Sequence, residues 1–128
     1  MKNTWLVTLV ALLCAHTSVA QELRLMAYNV LYDGADDAKS VAAIEAETAD
    51  VVCLRELTPH FVKAFEGSAA LMKAYPHRTF VPKTGTWGVG FASKVPLTDV
   101  RVLPVPPLKL PAMEATVRLD GAPLLDHR

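Results

Sequence analysis

Two residues in this chain have side chains suited to shared chemistry and matching positions from which to do it. Asn29 closes the apolar run "LRLMAYNV" (23–30), and Glu56 follows "ADVVCL" in the stretch "ADVVCLREL" (49–57). A carboxylate leaving the end of a buried strand stands on a rigid support, in the region where ligands of α/β sheets commonly bind. It is a hard oxygen ligand of the kind a magnesium ion takes, one or two at a time, with water and phosphate completing the shell. An amide can bind a phosphate oxygen, or orient a metal ligand, without adding charge.

Both residues need strands to carry them, and the sequence supplies the strands. Residues 23–30 read as a strand ending at Asn29, a residue type strands avoid. Asp33-Gly34 is a turn signal, and Asp36 or Asp37 can cap the helix "AKSVAAIEAETA" (38–49), with Val41, Ile44 and Thr48 on one side. "DVVCL" (50–54) is almost wholly apolar, as in a strand covered on both faces. Thr58-Pro59 is a helix start, and Phe61, Phe65, Leu71 and Met72 mark a helix over 59–75, interrupted near Gly67. "RTFVP" (78–82) and "GVGFAS" (88–93) read as strands joined by the turn "KTGTWG", and "DVRVLP" (99–104) as another. Four prolines in "LPVPPLKLPA" (103–112) predict an extended connector that nothing regular crosses. "EATVRL" (114–119) predicts a strand that turns at Asp120-Gly121 toward a hairpin partner beginning "PLL".

The chain has 128 residues, enough for one domain. Its start has a different character. Met1 and Lys2 form a basic head, Trp5 to Ala15 an uncharged apolar run, and Ser18 and Ala20 a small-residue exit. That is the layout of a signal peptide over 1–20, cut after Ala20, and it places the protein in a secreted or periplasmic setting. The run is too short for a stable membrane span, which needs roughly 20 apolar residues. Residues 21–128 then hold 12 Lys and Arg against 13 Asp and Glu, a formal charge of −1. There is no strong nucleic-acid charge signature, because long nucleic acid usually selects a basic excess. Cys53 is the one cysteine after residue 20, so no disulfide within that region is possible. It reads as a buried, inert thiol. His60 and His77, beside prolines at element boundaries, read as solvated. Trp87 reads as a turn aromatic covering the core, with a place over a site mouth as the alternative.

"LRLMAYNV", a helix, "ADVVCLREL" and "GVGFASKVPL", in that order, resemble the endonuclease/exonuclease/phosphatase superfamily, which includes the DNase I-like nucleases, sphingomyelinases and inositol phosphate phosphatases. The family's first strand ends in Asn, its second reads approximately "ADVVCLQE", and a later one carries Gly, Ser and Pro at the spacing of Gly90, Ser93 and Pro96. The resemblance covers nearly all of 21–128 but only the N-terminal portion of the family domain. It implies an α/β fold that is part of a four-layer α/β/β/α sandwich, cut short here. It also implies phosphoester hydrolysis, with Glu56 as ligand of Mg2+ (or Mn2+) and Asn29 as a second site residue. The substrate would be a lipid, an inositol phosphate or a nucleic acid.

Two departures shape the expectation. Arg55 stands where the family has Gln; it either faces away from Glu56, as neighbours on a strand do, or competes with the metal for it. The family's later Asp-x-Asn cannot be present, since Asn29 is the one Asn after residue 20. Asp126-His127 looks like the closing pair only by chance. The isolated chain is therefore expected to be inactive, and a sheet lacking its partner is expected to expose an apolar face and edges, with poor solubility. The competing readings are a non-catalytic exported remnant and a small secreted binding module.

Overall fold

The computed structural model describes residues 22–33, 36–105 and 108–119. The expected signal peptide over 1–20, Gly34, Asp120-Gly121, the expected partner beginning "PLL" and Asp126-His127 lie outside them. Among the described residues, six strands and three helices follow one another as β1 (Leu25–Asn29), α1 (Asp37–Glu47), β2 (Val51–Arg55), α2 (Pro59–Gly67), α3 (Ala69–Ala74), β3 (His77–Val81), β4 (Val89–Ser93), β5 (Leu97–Val105) and β6 (Leu108–Val117).

β1 and β2 pair in parallel, with Asn29 opposite Arg55, and α1 makes the crossover between them. β4 runs antiparallel to both β2 and β3, giving a four-stranded sheet in the order β1-β2-β4-β3. Alternation sorts the side chains of this sheet. Val52, Leu54 and Ala92 point to the helix side and are buried, while Cys53 and Phe91 point to the other face and are half-buried. The helices cover the first face through Ile44, Phe61, Phe65, Leu71 and Tyr75, each 1% exposed or less. Phe65 is the hub, edge-on to Phe80 at 5.4 Å, with Phe61 at 6.5 Å and Tyr75 at 6.3 Å. Such tilted and edge-on pairs add to the area they bury.

The helix boundaries are written in local hydrogen bonds. Asp36 accepts from the Lys39 amide at 3.1 Å, Thr58 from Phe61 at 3.1 Å and Ser68 from Leu71 at 3.1 Å. The interruption expected near Gly67 is a full break, because Ser68 is extended and caps a second helix. Thr48 is not on the buried stripe; it sits in the left-handed region at φ 50°, ending α1.

The proline-rich stretch departs from expectation. β5 and β6 pair antiparallel, with Pro104 opposite Pro111, so strands enter the stretch from both sides. Among the described residues the ribbon has two strands, and on an unpaired edge a missing amide leaves no ladder bond unmade. Among the described residues "EATVRL" pairs with β5, before it in sequence. β6 also lies against β4, so the sheet face expected to be bare is partly covered. No helix among the described residues is long and apolar enough to cross a membrane.

Candidate functional site

The parallel pairing of β1 and β2 brings their two ends together, and with them Asn29 and Glu56. Asn29 Nδ2 donates to Glu56 Oε1 at 2.9 Å. Asn29 Oδ1 accepts from the Leu31 amide at 2.9 Å, which fixes which end of the amide faces the carboxylate. The second carboxylate oxygen, Oε2, accepts from the Tyr32 amide at 3.2 Å. Each oxygen of Glu56 is thereby held by one N–H.

The loop around Glu56 is bent sharply and pinned on its far side. Leu31 and Glu56 both lie in the left-handed region, at φ 58° and 53°. Two non-glycine residues there represent strain of roughly 1–3 kcal/mol each, of the kind found at ligand sites. Leu57 carries the pinning: its amide donates to Gly88 O at 2.9 Å and its carbonyl accepts from the Lys83 amide at 3.0 Å. A Cβ on Gly88 would fall 1.7 Å from the Leu57 oxygen, so only glycine permits this approach. Gly88 ends the single turn of 3-10 helix at Gly85–Trp87, which ties the start of β4 to the end of β2.

Arg55 is exposed and forms no ion pair with Glu56. The charge competition allowed by the sequence is absent from this geometry. Ser93 of the Gly-x-x-Ser-x-x-Pro pattern has a local role. It is fully buried, donates to Val95 O at 2.7 Å and accepts from Val95 N at 3.2 Å, closing the turn after β4. Cys53 is half-buried, and burial raises its thiol pKa above the usual value. Trp87 is 44% exposed and does not cover the core. His60 is largely exposed and its Nδ1 meets Asp37 Oδ2.

Glu56 suits a magnesium-type ion. An ionised carboxylate offers roughly four acceptor positions, two of which are filled here by Asn29 and Tyr32. No group of three or more His, Cys, Asp or Glu gathers as a metal cage among the described residues. A single carboxylate with water and phosphate is enough for a reluctantly dehydrating cation. The backbone groups of Leu31, Tyr32 and Leu57, and Gly88 beneath them, carried no recognisable signal in sequence beyond the Asn-x-Leu spacing of an Asx turn.

No family model matches the chain, and no curated protein does. Solved structures do. A humanized D. rerio TDP2 carrying 14 mutations aligns at TM-score 0.64 with 19% identity, over 77% of this chain and 43% of that one. D. rerio TDP2 in complex with a single-strand DNA product aligns at 0.63 with 21% identity, over 77% and 42%. The likeness is one of fold, the DNase I-like α/β fold. An endonuclease/exonuclease/phosphatase protein from Beutenbergia cavernae DSM 12333 aligns more loosely, at 0.49 with 23% identity over 77% of this chain and 35% of that one. The chain spans less than half the length of each of these proteins. The expected α/β, DNase I-like fold class is borne out, over part of the length of those proteins.

Proposed function

We propose that this chain forms the front portion of an exported, divalent-metal-dependent phosphoesterase. The observation that carries the reading is the hydrogen bond from Asn29 to Glu56 at 2.9 Å, at the paired ends of two parallel strands. In this reading Glu56 holds Mg2+ (or Mn2+), which when bound neutralises phosphate charge as a Lewis acid. Asn29 fixes the Glu56 oxygen while staying neutral, so the carboxylate keeps its open positions toward the ion. The groups that would activate water and steady the developing phosphorane belong, by the resemblance, to the later part of the family domain. The chain alone therefore binds metal without turning over substrate. Export rests on the signal-peptide layout of residues 1–20.

The substrate is a phosphoester. D. rerio TDP2 was solved with a single-strand DNA product, which favours the nucleic-acid kind over the lipid and inositol phosphate kinds. Calorimetric titration with MnCl2 tests the reading: the chain binds Mn2+, and Glu56→Gln does not. Absence of binding by the unmodified chain would leave the non-catalytic remnant or a binding module. Magnesium-dependent hydrolysis of bis(p-nitrophenyl) phosphate by the chain, lost in Glu56→Ala, would overturn the inactivity of the isolated portion.

A further inference from the structure

Arg55 is a cation that the Asn29–Glu56 pair does not use. The register of the sheet sets it beside that pair. Asn29 and Arg55 are direct partners in the parallel ladder, and neighbouring strands lie about 4.8 Å apart. Alternation puts both on the face of the sheet turned away from the helices. Met26 and Tyr28 pack against the helix-side core, so Leu25, Ala27 and Asn29 face the other way. Val52 and Leu54 do the same in β2, which leaves Cys53 and Arg55 on the side of Asn29.

The guanidinium meets no opposite charge there. The Glu56 oxygens are taken by Asn29 and by the Tyr32 amide, and Arg55 forms no ion pair among the described residues. Arg55 lines a cavity of about 260 Å³ with Cys53, Val89, Phe91, Pro111 and Met113 among its walls. No carboxylate lines it. Apolar walls displace screening water, so a charge there acts more strongly than in bulk solvent. Where the family pattern has a neutral Gln, this chain has a permanent positive charge on a planar fork of five N–H donors.

We propose that Arg55 is the phosphate anchor of this site: its guanidinium takes two oxygens of a terminal phosphate beside Asn29 and selects phosphomonoesters over phosphodiesters. This role rests on the phosphoesterase reading and narrows its substrate class. A monoester phosphate carries about −1.5 to −2 charges at neutral pH and three unesterified oxygens. A diester carries a single charge and one such oxygen fewer. Glu56 repels the extra charge of the monoester, and a cation one strand spacing away offsets that repulsion. The fork also matches a pair of phosphate oxygens. Gln in this place would supply neither the charge nor the fork.

Proton–nitrogen NMR spectra of the full chain test the anchor. The probes are methyl phosphate and dimethyl phosphate at about pH 8, where the monoester is a dianion, in EDTA so that metal does not contribute. Methyl phosphate binds more tightly than dimethyl phosphate and shifts the Arg55 Nε and Asn29 Nδ2 signals. Arg55→Gln weakens methyl phosphate by about five- to tenfold, between an exposed ion pair and a charge-assisted hydrogen bond, and removes the preference. Arg55→Lys keeps the charge without the fork and retains part of the preference. No methyl phosphate binding by the unmodified chain, or the same preference in Arg55→Gln, overturns the anchor. So do shifts confined to residues outside β1 and β2. Mn2+ titration of the same proteins separates the two readings. Arg55→Gln binds Mn2+ at least as tightly as the unmodified chain, because a nearby positive charge is gone. Mn2+ binding without an Arg55-dependent preference sinks the anchor alone. The preference without Mn2+ binding sinks the metal site and leaves an anion site at Arg55.

Discussion

Asn29 and Glu56, 27 residues apart in sequence, are joined by a 2.9 Å hydrogen bond that exists because β1 and β2 are parallel neighbours in register. The amide is itself fixed by Leu31, so the carboxylate is oriented before any ligand arrives. Orientation of a ligand by its hydrogen-bond partner is worth roughly 10–100-fold in metal affinity. Asn29→Ala should therefore weaken Mn2+ binding by a factor in that range without unfolding the chain. Calorimetry paired with circular dichroism decides it; unchanged affinity would mean that Asn29 does not position Glu56.

Glu56 sits at φ 53°, where a Cβ is strained and glycine is not. Glu56→Gly and Glu56→Ala both delete the carboxylate, so both lose Mn2+. Glu56→Gly should nevertheless be more stable than Glu56→Ala by about 1 kcal/mol in urea unfolding. Equal stability, or the reverse order, would show that the loop relaxes out of the left-handed region once the side chain is gone.

Gly88 and Gly90 make a controlled comparison. A Cβ at Gly88 would meet backbone, the Leu57 oxygen at 1.7 Å, whereas one at Gly90 would first meet side-chain atoms, Phe80 Cδ1 at 2.7 Å and Leu57 Cδ2 at 2.8 Å. Side chains yield more readily than backbone. Gly88→Ala should cost more than Gly90→Ala, at or above the upper end of the roughly 1–3 kcal/mol typical of overpacking. It should also weaken Mn2+ binding, because the Leu57 amide anchoring the Glu56 loop is displaced. Mn2+ affinity unaffected by Gly88→Ala would break that link.

Tyr75 is 1% exposed and donates to Ala49 O at 2.9 Å. Burial first, and the nearby Asp50 charge second, push its phenol above the usual range. A phenol that resists ionisation in the folded chain stabilises it fully below the unfolded pKa of about 10. That contribution is lost as pH rises through the higher folded value. Urea midpoints should thus fall above about pH 10, and less steeply in Tyr75→Phe. Matching alkaline slopes for the two proteins would assign the fall to other groups.

The sequence alone determined the order of the early elements and where their helices start. The apolar runs of β1 and β2, the Thr58-Pro59 start and a cap at Asp36 or Asp37, which the structure assigns to Asp36, are local signals, decided within a few residues by hydrogen bonds and periodicity. It also singled out Asn29 and Glu56, since polar residues ending apolar strands stand out against their neighbours.

The three-dimensional packing decided the rest. Whether Arg55 opposes Glu56 depended on a left-handed turn at Glu56, which no residue type announces. The β5–β6 ribbon through Pro104 and Pro111 was hidden because proline forbids a ladder bond only where one is required, and a ribbon edge requires none. Trp87 read as a turn aromatic covering the core, yet in the structure it is 44% exposed, beside the close approach of Gly88 to the Leu57 backbone. Those outcomes turn on contacts between residues some 30 positions apart, such as Leu57 and Gly88, and a linear pattern holds no record of which distant segments will meet.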